Sequence, residues 1–165
     1  MKNKIGFVLI FLSILIVIIK YNFEYKINNY QNKIINNIHD NYNYIEYKGY
    51  IKIDKYNINK IIKKGTTNEI LDKNYVGMMD INKENLVVLA GHNTNNVFHK
   101  IHYLKGNDLI EIYLDKKEIY KVKTIKEINV DDYEILNKKY KNKTLILMTC
   151  TNKQNKRLIV ISEKA

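Results

Sequence analysis

Thr144-Leu145-Ile146-Leu147-Met148-Thr149, which delivers Cys150 at its end, and, after the polar stretch from Thr151 to Lys156, Arg157-Leu158-Ile159-Val160-Ile161 are short apolar runs bracketed by Lys and Asn. Runs of this length, rich in branched residues and bounded by turn formers, read as strands and are too short for self-sufficient helices. The loop between them has no room for an added helix. Working back along the chain, the same pattern recurs at Gly49–Ile53, Ile58–Ile62, Asn85–Ala90, Asp108–Leu114 and Glu118–Ile125. Asp115-Lys116-Lys117 joins two of these as an expected hairpin, and Tyr120, Val122 and Thr124 are expected to share one face. Seven or eight short strands with few helical inserts predict a mainly β fold, a closed or nearly closed barrel. Short helical stretches are expected at Val97–Leu104 and Val130–Leu136, and no internal repeat is visible.

At 165 residues the chain holds one compact domain plus a short appendage. The formal charge of +11 raises nucleic acid or an anionic surface as partners. Its distribution argues against nucleic acid: the charge is almost all Lys, spread from Lys2 to Lys164, and no recognition motif is present. Against that background Cys150, the only cysteine, and Arg157, the only arginine, stand out. A single cysteine rules out an intramolecular disulfide and a cysteine-based zinc cage.

The N-terminus, residues 1–4, is followed by an uninterrupted apolar run from Ile5 to Ile19. As a helix this run rises about 22 Å, a little short of the hydrocarbon core, so Lys20 would snorkel and Tyr21 and Phe23 would sit at the interface. No small-residue cleavage site follows Ile19, which predicts an uncleaved signal anchor over residues 5–21. The flanking positive charges are nearly balanced. A four-residue N-terminus before a signal-like run predicts a cytoplasmic N-terminus, a single pass, and a globular part outside the cell. Residues 22–44 have neither Gly nor Pro, and Ile27, Tyr30, Ile34 and Ile38 fall near helical spacing, so a polar helical stalk is expected to lift the domain at 45–165 away from the bilayer.

Two strand ends carry polar residues that a β pattern does not require: Leu89-Ala90-Gly91-His92-Asn93 and Ile146-Leu147-Met148-Thr149-Cys150. Taken alone, a cysteine is more often a small buried hydrophobe than a nucleophile, and a lone histidine is more often a satisfied loop residue. Together with Arg157 the weighting changes. A thiol with an ordinary pKa near 8.5 is a poor nucleophile at neutral pH, and neighbouring imidazolium and guanidinium groups favour its thiolate. Those three groups suffice for acyl transfer.

These residues resemble the sortase family, whose members have a Thr-Leu-x-Thr-Cys motif ending one strand, an arginine opening the next, and a catalytic histidine just after a glycine on an earlier strand. Leu147-Met148-Thr149-Cys150 matches the last four motif positions, with Ile146 in place of the usual first threonine. Gly91-His92-Asn93 and Arg157 match the other two segments. The resemblance covers roughly Tyr47 to Ser162. It implies a membrane-anchored cysteine transpeptidase with Cys150 as nucleophile, His92 as general acid and base, and Arg157 stabilising the oxyanion or the substrate backbone. Thr149 and Asn93 are implied as substrate-binding. The implied substrates are secreted proteins with a C-terminal sorting signal of the Leu-Pro-x-Thr-Gly type, and the implied acceptor is an amine of peptidoglycan or of a pilin. Ile146 and the short loop after Cys150 leave the subclass open.

No cofactor is expected. Some sortases bind calcium, and Asp80, Glu84, Asp131, Asp132 and Glu134 are available acids, but scattered acids on a Lys-rich chain are usually solvated, so no metal is assigned. His99 and His102 lie three apart without a carboxylate pattern to complete a metal site. His39 is expected to be solvated in the stalk, and the many tyrosines, such as Tyr42, Tyr44, Tyr47 and Tyr50, follow composition and β preference. Two other classes stay in view. One is another cysteine peptidase, for instance caspase-like, which requires alternating strands and long helices. The other is a non-catalytic, membrane-tethered domain that binds anionic wall polymer through its lysines.

Overall fold

The computed structural model describes residues 2–37 and 47–165. Eight strands form: β1 Gly49–Ile53, β2 Ile58–Lys64, β3 Val76–Met78, β4 Leu86–Ala90, β5 Leu109–Tyr113, β6 Lys117–Asn129, β7 Thr144–Cys150 and β8 Lys156–Lys164. They close into a barrel in the order β1-β2-β3-β4-β7-β8-β6-β5, with β5 returning to β1. Closure gives every strand a neighbour on both sides, although β3 covers only Ile62 to Lys64 of β2. Two neighbouring pairs are parallel, β2 with β3 and β4 with β7.

The opening runs are continuous in hydrophobicity because β7 and β8 are covered on both faces, as fully buried strands are. Leu145, Leu147, Leu158 and Val160 fill the barrel interior with Ile51, Ile112 and Phe98. Ile146, Met148 and Ile159 point outward and are covered by Ile135 and Leu136. Those two residues belong to α3, Glu134–Asn137, which overlaps the helical stretch expected at Val130–Leu136 only over Glu134 to Leu136. The stretch expected to be helical at Val97–Leu104 is a 3-10 turn over His99–Tyr103 that drives Val97, Phe98, Ile101 and Leu104 into the core.

β3, the face of Thr124 and a helix at Asn68–Leu71 also depart from what the sequence pattern predicts. β3 is a strand of three residues around Gly77, too brief to show a period; a Cβ on Gly77 would lie 2.3 Å from the Gly65 carbonyl oxygen, so only glycine permits the β2–β3 approach. Thr124 does not share the face of Tyr120 and Val122. The β6–β8 register shifts between Val122 and Thr124, leaving Thr124 exposed and turning Ile125 towards the core. The helix α2, Asn68–Leu71, was not expected from hydrophobic period at all.

The N-terminal segment is one helix, α1, Lys2–Asn37. Phe7 to Ile19 are exposed along it, and it is long and apolar enough to cross a membrane. Its polar end does not stand clear of the barrel as a stalk would. Ile35 is buried against Tyr50, Ile61 and Tyr75, and Gln31 is fully buried. The reason lies in β2: β3 pairs only with Ile62 to Lys64, and the uncovered N–H of Ile61 donates to Gln31 Oε1 at 3.3 Å. His39, Tyr42, Tyr44 and the end of the expected stalk lie outside the described residues.

Candidate active site

The parallel pairing of β4 with β7 carries both strands to the same end of the barrel, Ala90 beside Met148. The residues that follow, Gly91-His92 and Thr149-Cys150, are therefore neighbours although far apart in sequence. Antiparallel β8 then starts where β7 stops, placing Arg157 directly opposite Cys150. Alternation along β7 puts Cys150 on the outward face with Ile146 and Met148, and the thiol is exposed.

Cys150, His92 and Arg157 line one cavity of about 280 Å³. Its walls include apolar Leu71, Met79, Ala90 and Met148, with Thr66 and Asn68 as polar members. Arg157 reaches back over the cavity wall, its Nη1 lying 3.4 Å from Met148 Sδ. His92 Nε2 lies 2.9 Å from Asp72 Oδ1, just past α2. Strand patterns do not point to Asp72; the only local signal is Thr66-Thr67-Asn68-Glu69, a helix-start pattern that marks α2.

Of the two remaining site candidates, Thr149 lines the same cavity and Asn93 does not. Thr149 is buried and its hydroxyl donates to the Gly91 carbonyl at 2.8 Å, so it ties the histidine segment to the cysteine strand instead of offering a free donor to a ligand. Asn93 is not among the cavity-lining residues; its amide bridges Asn152 Oδ1 at 3.3 Å and His99 Nδ1 at 3.1 Å. A Cβ on Gly91 would meet Phe98 Cδ2 at 2.7 Å and Val97 Cγ1 at 2.8 Å, so glycine is what allows the chain to turn closely over the core before His92. Of the acids considered for calcium, Asp80 pairs with Lys64 at 3.0 Å and Asp132 accepts from the Glu134 N–H at 3.2 Å. Among the described residues no three His, Cys, Asp or Glu side chains gather as a metal site.

A family model described as the sortase domain matches residues 51–165, most of the chain. The chain belongs to the sortase family. Among solved structures it is similar to sortase C from Clostridium perfringens SM101, at 28% identity and a TM-score of 0.64 over 87% of this chain and 88% of that one. It is also similar to Listeria monocytogenes sortase A, at 23% identity and a TM-score of 0.65 over 72% and 87%. The pilus-related sortase C of Group B Streptococcus matches at 23% identity and a TM-score of 0.66 over 73% and 68%. A search of curated proteins gave no match. The likeness extends to sortases A and C alike, so it does not choose a subclass. This sortase is a cysteine transpeptidase, and its closed barrel removes the caspase-like alternative, which needs parallel strands alternating with long helices.

Proposed function

We propose that Cys150 is the nucleophile of this sortase, His92 its general acid and base, and Arg157 the stabiliser of the oxyanion and substrate backbone. The observation that carries this reading is the convergence on one open cavity of the only cysteine, the only arginine and the histidine that follows β4. The Cys150 thiolate attacks the Thr–Gly carbonyl of a Leu-Pro-x-Thr-Gly-like signal, forming an Sγ–C bond. Arg157, with its forked donors and permanent charge, stabilises the negative oxygen of the tetrahedral intermediate. Breakdown expels the glycine amine, which takes a proton from His92 and leaves a thioester. An amine of peptidoglycan or of a pilin then attacks the thioester, gives a proton back to His92, and releases the Cys150 thiolate with a new amide formed.

Secreted proteins with a C-terminal signal are thus the substrates, in keeping with a matched structure of Clostridium perfringens sortase C with the C-terminal cell wall sorting motif. The exposed apolar half of α1 anchors the enzyme as a single-pass protein with its barrel outside the cell. The test is mass spectrometry of the full-length chain in detergent micelles with a panel of such peptides and an amine acceptor, alongside Cys150→Ala. An acyl adduct on Cys150 and amine-exchanged peptide, both missing in the variant, are expected. A folded protein that yields neither with any peptide would return the tethered wall-binding domain as the better reading.

A further inference from the structure

The side chain that meets His92 belongs to a loop held by α1. Asp72 closes α2 and is followed within two residues by Asn74, whose backbone is left-handed at φ 60°. The Asn74 carbonyl accepts from Gln31 Nε2 at 3.1 Å, while the other end of the same fully buried amide accepts from the Ile61 N–H of β2. One turn earlier on α1, Asn28 Nδ2 donates to Asn96 Oδ1 at 3.5 Å, on the segment that leaves His92 on its other side. The helix therefore touches the chain both where it presents Asp72 and just beyond where it presents His92.

An exposed pair such as Asp72 and His92, with side chains 70% and 38% accessible, does not hold itself in one geometry, because freeing two mobile groups into water costs little. A carboxylate of this kind orients an imidazole only if its backbone is fixed by something else. Gln31 is suited to that task, since withdrawing it would strand a buried N–H and a carbonyl together.

We propose that Asp72 is a positioning residue for His92 and that Gln31 of α1 sets the loop bearing it, so that docking of the helix on the barrel is a condition for full transpeptidase activity. The proposal rests on His92 acting as the acid and base. Steady-state transpeptidation by the full-length chain in detergent micelles, with a Leu-Pro-x-Thr-Gly-like peptide, tests it. Asp72→Ala is expected to lower kcat about tenfold, the size typical of lost partners of reacting groups, with the peptide KM within about twofold. Asp72→Glu is expected to recover most of that loss. Gln31→Ala is expected to lower kcat in the same way, and to add almost nothing in the Asp72→Ala background, because both act through one geometry. Asn32→Ala, on the same helix, removes only the bond that Asn32 Oδ1 accepts from Asn59 of β2, and is expected to leave kcat unchanged.

Losses from Gln31→Ala and Asp72→Ala that multiply, or a Gln31→Ala enzyme with full kcat, would overturn the link to the helix. If Gln31→Ala does not fold, Gln31→Glu keeps the acceptor for Ile61, removes the donor to Asn74, and carries the same expectation. His92→Ala separates the two levels. Retained transfer in His92→Ala sinks the catalytic reading itself, whereas an inactive His92→Ala beside a fully active Asp72→Ala sinks only the positioning role.

Discussion

Lys60 is only 5% exposed and has an amide, Asn28 Oδ1 at 2.6 Å, where a buried ammonium normally needs a carboxylate. Burial pushes its pKa down from 10.5 to about 8. The charged form is thus the one that the folded state disfavours. Between those two values the unfolded chain binds the extra proton, so stability rises with pH across the window, and below about pH 8 the whole penalty is present. Lys60→Met should therefore stabilise the full chain at pH 7 by about 1–3 kcal/mol, an advantage that disappears above pH 10.5. Urea melts at a series of pH values check this; an advantage that does not shrink with rising pH would mean the charge is not its source. Arg157 is the opposite kind of residue, a charge that the site needs. Arg157→Lys keeps the charge but loses the planar fork, so kcat is expected to fall about 100-fold with the thioester step slowed, as for removal of an oxyanion donor. Single-turnover formation of the Cys150 adduct measures it, and an unchanged rate would exclude Arg157 from that step.

Strand ends are where this chain's function was most legible. Gly91-His92 and Thr149-Cys150 announced themselves as polar residues following apolar runs, and the parallel β4–β7 pair explains why they meet. Other elements left no such mark. β3 has too few residues for a period, the β6 bulge changes the inward face from Val122 to Ile125 without any turn residue, and Asp72 reaches His92 from a one-turn helix whose only signature is its start. Thr149 carried a motif signal but not its meaning, since its hydroxyl joins two strand ends through Gly91. Thr149→Val should accordingly cost about 1–2 kcal/mol of stability, the cost of stranding a buried carbonyl, and lower kcat more than it raises the peptide KM. Kinetics and denaturant melts on one preparation test both parts. A raised KM at constant kcat would return Thr149 to a substrate-binding role.

Across the whole molecule, the barrel keeps its chemistry at one end and an ion cluster around Glu118 at the other. Thr144 begins β7 and Cys150 ends it, so Lys143, just before the strand, marks the end remote from the cavity. There Glu118 at the start of β6 accepts from Lys164 at 2.9 Å, Lys143 at 3.0 Å and the Tyr120 hydroxyl at 2.9 Å. These bonds, Lys164 first, hold the Glu118 carboxyl down at about 2 against the opposing effect of burial. Its folded pKa lies below the ordinary 4.5, so the stabilisation is complete above that value and is lost as the pH falls towards about 2. Glu118 joins the first residues of β6 to the last of β8 and to the approach to β7, so acid should open the barrel from this end. Glu118→Gln is expected to cost about 1–2 kcal/mol at pH 7, allowing for solvent screening of the two half-exposed lysines, and to flatten the acid dependence of stability between pH 4.5 and about 2. Transpeptidation at neutral pH should stay within about twofold of the parent enzyme, because orientation at the site depends on contacts local to it. Hydrogen exchange at pH 3 provides the spatial readout: amides at the start of β6 and the end of β8 should lose protection before those of Met148 and Thr149. Simultaneous loss at both ends would mean that the ion cluster is not the weak point in acid and that the barrel opens as one unit.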